Sequence, residues 1–392
     1  MLPLLFKTLL NHASEATAAA DRVYFPVPSG DYHVGKTQHV FNLTSPGCPV
    51  TPDGYNDTDA YIVVTILFPT EQEPTPATSS KYMDYELARL IEEGWDIPTG
   101  ELQKLWTTVQ WQPPVLSNLQ EKLKFPTLLF SPGGGMPCSS STLVTSDMVS
   151  QGYTVVCIDH PGEAPYLQIP YTNGTAGMYG IAIDYDWAGE QVLCDVNDRR
   201  KQGVDALLQL YPALVDDFGA PFNTSAYLHF GFSMGGSLGS DIVERHDAVL
   251  AGVNYDGMFI DSYFSNTTVD VRKPFLMFRD DQGRETTDPT WDWFQGYQTG
   301  WWRHLKVLGS HHLDFSDVGL WFELLGVNDT GPLTGTIEPL RMREVMNAFT
   351  MEFFESVLRG DLGESPLLNG PLPSDQWPEV LLWNGSAVTV SV

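Results

Sequence analysis

Tyr227-Leu228-His229-Phe230-Gly231-Phe232-Ser233-Met234-Gly235-Gly236-Ser237-Leu238 is the stretch that decides how this chain is read. A short apolar run (YLHF) enters Gly-x-Ser-x-Gly, and a helix-like run (MGGSLGSDIV) leaves it. Strand, tight turn and helix therefore follow one another directly. A side chain at Gly231 or Gly235 would clash in such a turn. The turn lifts Ser233 above the strand end, with its hydroxyl exposed at a helix N-terminus. The bare pattern is common by chance. The strand–turn–helix setting and the additional Gly236 make it specific and mark Ser233 as a candidate nucleophile.

Outward from this turn the pattern alternates. Apolar runs at 61–68, 125–130, 153–158, 249–255, 274–278 and 305–308 read as strands. Helical spacing covers 84–95, 140–152, 191–210, 234–246 and 338–359, with Asp195, Arg199 and Asp205 on the polar side of 191–210. Strands separated by helices imply an α/β fold, with a mostly parallel central sheet flanked by helices on both faces. Residues 21–60, rich in Pro, Gly, Asp and Thr, read as an extended arm. The expected organisation is one domain over 21–392, with insertions at about 70–115, 160–190 and 280–302, behind a signal-like or flexible segment at 1–20.

The other chemistry-bearing residues fall at strand ends. Ser131-Pro132-Gly133-Gly134-Gly135 follows the strand PTLLF, and glycines there let backbone N–H groups approach a ligand closely. No Gly-Lys-[Ser/Thr] follows, which excludes a phosphate-binding P-loop. Gly134 N–H, with Met234 N–H, forms the expected oxyanion hole. The base belongs after the last strands, where His311 and His312 follow LKVL; spacing alone leaves the choice between them open. The acid has two placements, Asp256 after GVNYD or Asp280/Asp281 after PFLMF. Either orients a histidine and stabilises its imidazolium. Thr287 to Trp302 carries six aromatics between acid and base. With Phe232, its Trp291, Trp293 and Trp301 are candidate walls of an acyl pocket; the alternative is a well-packed excursion.

Composition narrows the partners. There are 49 acidic and 21 basic side chains, a formal charge of -28, which repels phosphate backbones and argues against nucleic acid. Hydrophobic residues make up 42% of the chain, enough for a large core. No run of about twenty apolar residues spans a membrane. Seven of the thirteen asparagines (42, 56, 173, 223, 266, 328 and 384) lie in Asn-x-[Ser/Thr], where chance gives about two. That excess points to a secreted or lumenal glycoprotein. Residues 1–20, interrupted by Lys7, His12 and Glu15, make a poor signal peptide, which leaves the cytoplasm as the alternative. The four cysteines lack metal-ligand or redox spacing; one or two disulfides fit an oxidising compartment, and Cys157, inside a strand pattern, reads as a buried small hydrophobe.

In order and spacing, these motifs resemble the plasma and type II platelet-activating-factor acetylhydrolases of the α/β-hydrolase fold, especially their fungal relatives. The shared features run from Gly30-Asp31-Tyr32-His33-Val34-Gly35 through Phe130 to Gly135 and Ile158-Asp159-His160-Pro161-Gly162. They continue through Gly231 to Gly236 and Asp256-Gly257-Met258-Phe259 to Gly309-Ser310-x-His312-x-x-Phe315. The resemblance implies Asp256 as acid and His312 as base. It also implies hydrolysis of an acetyl or short-acyl ester of a lipid or other small molecule, without metal or organic cofactor. Two positions depart from it, with Phe232 and Pro132 standing where the family usually has histidine. A biosynthetic enzyme borrowing the fold for cyclisation or acyl transfer to a non-water acceptor is the competing expectation, and a peptidase the third.

Overall fold

Alternation along the strands sorts their side chains between two cores. Leu128 and Phe130 enter one apolar cluster while Leu129, between them, enters the other. The computed structural model describes residues 22–42, 61–116, 125–171, 176–180, 190–264, 266, 268–282, 288–327 and 333–386. The N-terminal segment 1–20 and the sequon residues Asn56, Asn173 and Asn328 lie outside these residues.

In chain order the elements are β1 (Val23–Tyr24), β2 (His33–Asn42), β3 (Tyr61–Thr70), β4 (Ser79–Lys81), α1 (Tyr85–Gly94) and β5 (Leu105–Trp111). Then come β6 (Thr127–Ser131), α2 (Thr142–Ser150), β7 (Val155–Asp159), β8 (Tyr166–Gln168), β9 (Gly177–Tyr179) and α3 (Glu190–Phe218). β10 (Tyr227–Phe232), α4 (Met234–Arg245), β11 (Val249–Tyr255), α5 (Ile260–Phe264), β12 (Phe275–Arg279), α6 (Thr290–Tyr297) and β13 (Trp302–Val307) follow. The chain closes with α7 (Val318–Leu325), α8 (Pro339–Arg359), α9 (Pro366–Asn369) and β14 (Val380–Gly385).

The main sheet runs β1-β5-β2-β3-β7-β6-β10-β11-β12-β13-β14, with β4 paired to β5. From β7 to β13 neighbouring strands are parallel; β3 and β14 are antiparallel to their neighbours. α2 and α8 pack on one face through Met148, Val149, Val345 and Phe349. α3, α4 and α6 pack on the other through Val204, Leu207, Leu238, Ile242, Trp291 and Phe294. The chain leaves β6 for β7 on one side, then returns to β10 on the other. Loops leaving the carboxyl ends of β6 and β10 therefore part, and open a crevice between them.

Two expectations are corrected. The arm expected over 21–60 contains β2, which pairs with β3 along its whole length; its polar residues mask the alternation of buried Val34 and Phe41. Cys157 is buried but not free, because it forms a disulfide with Cys138 across a Cα–Cα distance of 5.9 Å. The insertion at 70–115 adds β4, α1 and β5 to the sheet edge, that at 160–190 includes the β8–β9 hairpin, and that at 280–302 carries α6. Among the described residues no helix is long and apolar enough to cross a membrane.

Candidate active site

The turn between β10 and α4 is as tight as its glycines require. A methyl group on Gly231 would lie 2.4 Å from the Gly235 carbonyl carbon, and one on Gly235 would lie 2.0 Å from Ser131 O. Ser233 has φ +54°, a left-handed value that a non-glycine residue adopts at a cost and that is frequent at functional turns. Its backbone N–H donates to Tyr255 O at 2.8 Å, tying the turn to the end of β11. Met234 is the first residue of α4, so the helix does not use its N–H.

Three side chains from different strand ends meet above this turn. Ser233 Oγ lies 2.9 Å from His312 Nε2, and His312 Nδ1 is hydrogen-bonded to Asp256 Oδ2. Asp256 is buried, and its Oδ1 accepts the Asp280 N–H at 3.0 Å. Its φ is +54°, which turns the carboxylate back over the elbow. The next residue packs just as closely, since a methyl group on Gly257 would lie 2.1 Å from Ser233 O. Phe232 is fully buried and its ring packs against the His312 imidazole at 4.8 Å, so it supports the ring from below.

The alternatives weighed in the sequence go elsewhere. His311 caps the short 3-10 turn His312–Phe315, with its N–H donating to Asp314 at 2.7 Å. Asp280 is buried beside Asp256 and meets it through its backbone N–H. Asp281 pairs with Lys306 at 3.0 Å and accepts Gly309 N–H at 3.2 Å. Trp291 is a core side chain stacked on His304, and Trp301 packs on Phe353 of α8. Trp293 is exposed on α6. Of the aromatic run, Trp291, Phe294 and Trp302 are buried in the core, Trp301 is half-buried against α8, and Trp293 and Tyr297 are exposed.

The whole chain can be compared with known proteins. It superposes on a ferulic acid esterase from Streptomyces cinnamoneus with a TM-score of 0.73, over 92% of this chain and 99% of the other, at 22% identity. The fold is that of the α/β hydrolases. In sequence it is 28% identical over 274 residues to a probable 1-alkyl-2-acetylglycerophosphocholine esterase of Arthroderma benhamiae. That match covers 65% of this chain and 65% of the relative's length. No family model matches.

The glycine loop after β6 reaches the same crevice. A methyl group on Gly133 would lie 2.9 Å from the Phe232 ring and 3.4 Å from Ser233 Cβ, so this loop runs against the turn between β10 and α4. Several of its anchors escape a reading of the sequence. Arg200 of α3, fully buried, donates to Pro132 O at 2.7 Å and to Gly133 O at 3.1 Å. The same guanidinium pairs with buried Glu163. Asp159, at the end of β7, accepts Cys138 N–H at 2.7 Å; burial pushes its carboxyl up to about 7, against the pull of that N–H. Further on, Asp317 accepts Leu143 N–H and the Tyr82 hydroxyl. The sequence trace of this set is the Asp159–Gly162 run, with Glu163 directly after it.

A cavity of about 780 Å³ opens just past the loop, within the usual range of about 300–1,000 Å³ for ligand sites. Pro137, Cys138 and Asp159 line it, and the exposed rings of Tyr85, Trp111 and Tyr171 stand among its walls.

Proposed function

We propose that this protein is a serine carboxylic-ester hydrolase that works through an acyl-enzyme on acetyl or short-acyl esters of a lipid or other small molecule. The observation that carries the reading is the hydrogen-bonded series Ser233–His312–Asp256, set on a strained turn at the crevice where the sheet order reverses. The relative named for an acetylglycerophosphocholine ester supports the acetyl and lipid part.

The steps follow from the positions. Ser233 Oγ bonds to the ester carbonyl carbon while its proton passes to His312 Nε2. The Asp256 carboxylate, bonded to Nδ1, holds the ring and stabilises the imidazolium. Gly134 and Met234 N–H groups receive the oxyanion, each typically worth about 3 kcal/mol of barrier. The carbon–oxygen bond to the alcohol then breaks, and His312 returns the proton to the leaving oxygen. Water, deprotonated by His312, attacks the acyl carbon and releases the acid, and Ser233 recovers its proton.

The test is turnover of p-nitrophenyl esters from acetate to decanoate by wild type and Ser233→Ala. Wild type is expected to prefer short chains, and the variant to lose roughly 10⁴-fold or more in kcat. A folded wild type that turns over none of the series, or a Ser233→Ala variant that keeps its rate, overturns the assignment.

A further inference from the structure

Buried ion pairs rarely add stability relative to apolar residues of the same volume. Arg200 and Glu163 are nonetheless fully buried together, so packing does not explain them. The geometry of the pair does. One edge of the guanidinium faces Glu163, with Nε 3.0 Å from Oε1 and Nη2 2.5 Å from Oε2. The other donors face the Pro132 and Gly133 carbonyls of the glycine loop. A planar fork can serve a carboxylate and two carbonyls at once, which a lysine ammonium does not do with fixed direction.

In a trans peptide the C=O of one residue and the N–H of the next point in opposite directions. Gly133 O and Gly134 N–H share one such unit. Pinning the carbonyl on Arg200 turns the Gly134 N–H away from the guanidinium. Gly133 has no side chain to fix this peptide, and a Cβ there would meet Phe232 at 2.9 Å and Ser233 Cβ at 3.4 Å. The adjacent Gly135, at φ +71°, adds a left-handed joint. Without Arg200 the Gly133 carbonyl keeps the Met136 N–H at 3.1 Å, a single turn hydrogen bond that holds the peptide less firmly.

We infer that Arg200, held by Glu163, is a positioning residue that fixes the oxyanion-hole peptide Gly133–Gly134 from the side opposite Ser233. The inference rests on the esterase reading for its effect on rate, but not for its effect on the loop. Arg200 touches neither substrate nor Ser233; it acts through the direction of one N–H.

Arg200→Met is expected to lower kcat on p-nitrophenyl acetate about 100-fold, the usual loss for one oxyanion donor, with KM within about twofold. Binding of an alkyl trifluoromethyl ketone, whose adduct with Ser233 places an oxyanion in the hole, should weaken by a similar factor. Arg200→Lys should recover only part of the loss. Because Arg200→Met leaves Glu163 buried alone, the double variant Arg200→Met/Glu163→Leu is made alongside it; it should fold and stay slow. Hydrogen–deuterium exchange gives a readout independent of turnover, and amides of the 131–137 segment should exchange at least about tenfold faster in both variants. Unchanged exchange, or a kcat per titrated Ser233 equal to wild type, overturns the inference even if the protein is an esterase. Faster exchange in a protein inert to every ester upholds the clamp and sinks the esterase reading instead.

Discussion

The two glycine turns that face each other across the crevice are held in opposite ways. The elbow at Gly231–Gly236 is fixed by close packing, with a Cβ on Gly231 meeting the Gly235 backbone at 2.4 Å, one on Gly235 meeting the Ser131 carbonyl at 2.0 Å, and Ser233 N–H bonded to Tyr255 O. The acid turn at Asp256–Gly257 is built into the same knot. The loop from Ser131 to Leu143 has little of this. It is fixed from without, by Arg200 with Glu163, by Asp159, by Asp317 and by the disulfide to Cys157. One turn is rigid because glycines let its backbone pack without space for a side chain; the other is rigid because of buried polar side chains placed far away in the chain.

The sharpest way to break this comparison is through the acid. Asp256→Asn should lower kcat by roughly 10⁴-fold, because an amide holds His312 in the wrong tautomer. Asp281→Asn should stay within about threefold of wild type, since its carboxylate serves Lys306 and Gly309. Steady-state kinetics of the pair decides it; equal losses would mean the acid is not fixed at the elbow.

Next in size is the glycine contrast. Gly235→Ala forces a methyl group onto the Ser131 carbonyl, a backbone atom that cannot step aside, and should cost about 100-fold or more in kcat together with a lower Tm. Gly133→Ala meets only the Phe232 ring and the Ser233 Cβ, and should cost about an order of magnitude less. Comparable damage from both would show that the loop is as self-locked as the elbow.

The smallest expected effect is on pH. Burial first, against the pull of Tyr82 and the Leu143 N–H, pushes the Asp317 carboxyl up to about 8. A carboxyl raised above its unfolded value keeps its proton longer in the folded protein. The stability it contributes is complete below about 4 and is lost as pH climbs towards about 8. Asp159, raised to about 7, adds the same sign over the lower part of that window. Asp317→Asn mimics the protonated acid and should flatten the fall in Tm between pH 6 and 8 by roughly 1–3 °C. An unaltered slope would remove this titration from the loop's anchorage.

The same contrast explains what was legible in the sequence. β11 is read to the residue, and the helix read over 84–95 matches α1 to within one residue at each end, because apolar runs and helical spacing are local signals. The glycine loop is readable as a loop, but not its fastening, since Arg200 looks like any charge on a helix beside Arg199 until Glu163 and two carbonyls surround it. β5 and β14 went unread because each makes sense only beside a distant partner, β2 or β13. The aromatic run at 287–302 misleads for the same reason. Trp291 and Trp301 look like a ligand surface in sequence, and find His304 and Phe353 in space.

β13 leads into the turn that carries His312, and among the described residues its outer edge is covered by β14. During synthesis the elbow and its acid emerge and can fold well before Val380–Gly385 leaves the ribosome. Ser233 and Asp256 also emerge before His312, which lies 56 residues beyond Asp256. In the proposed mechanism Ser233 therefore gains its base only when β13 pairs beside β12 and brings the His312 turn over the elbow.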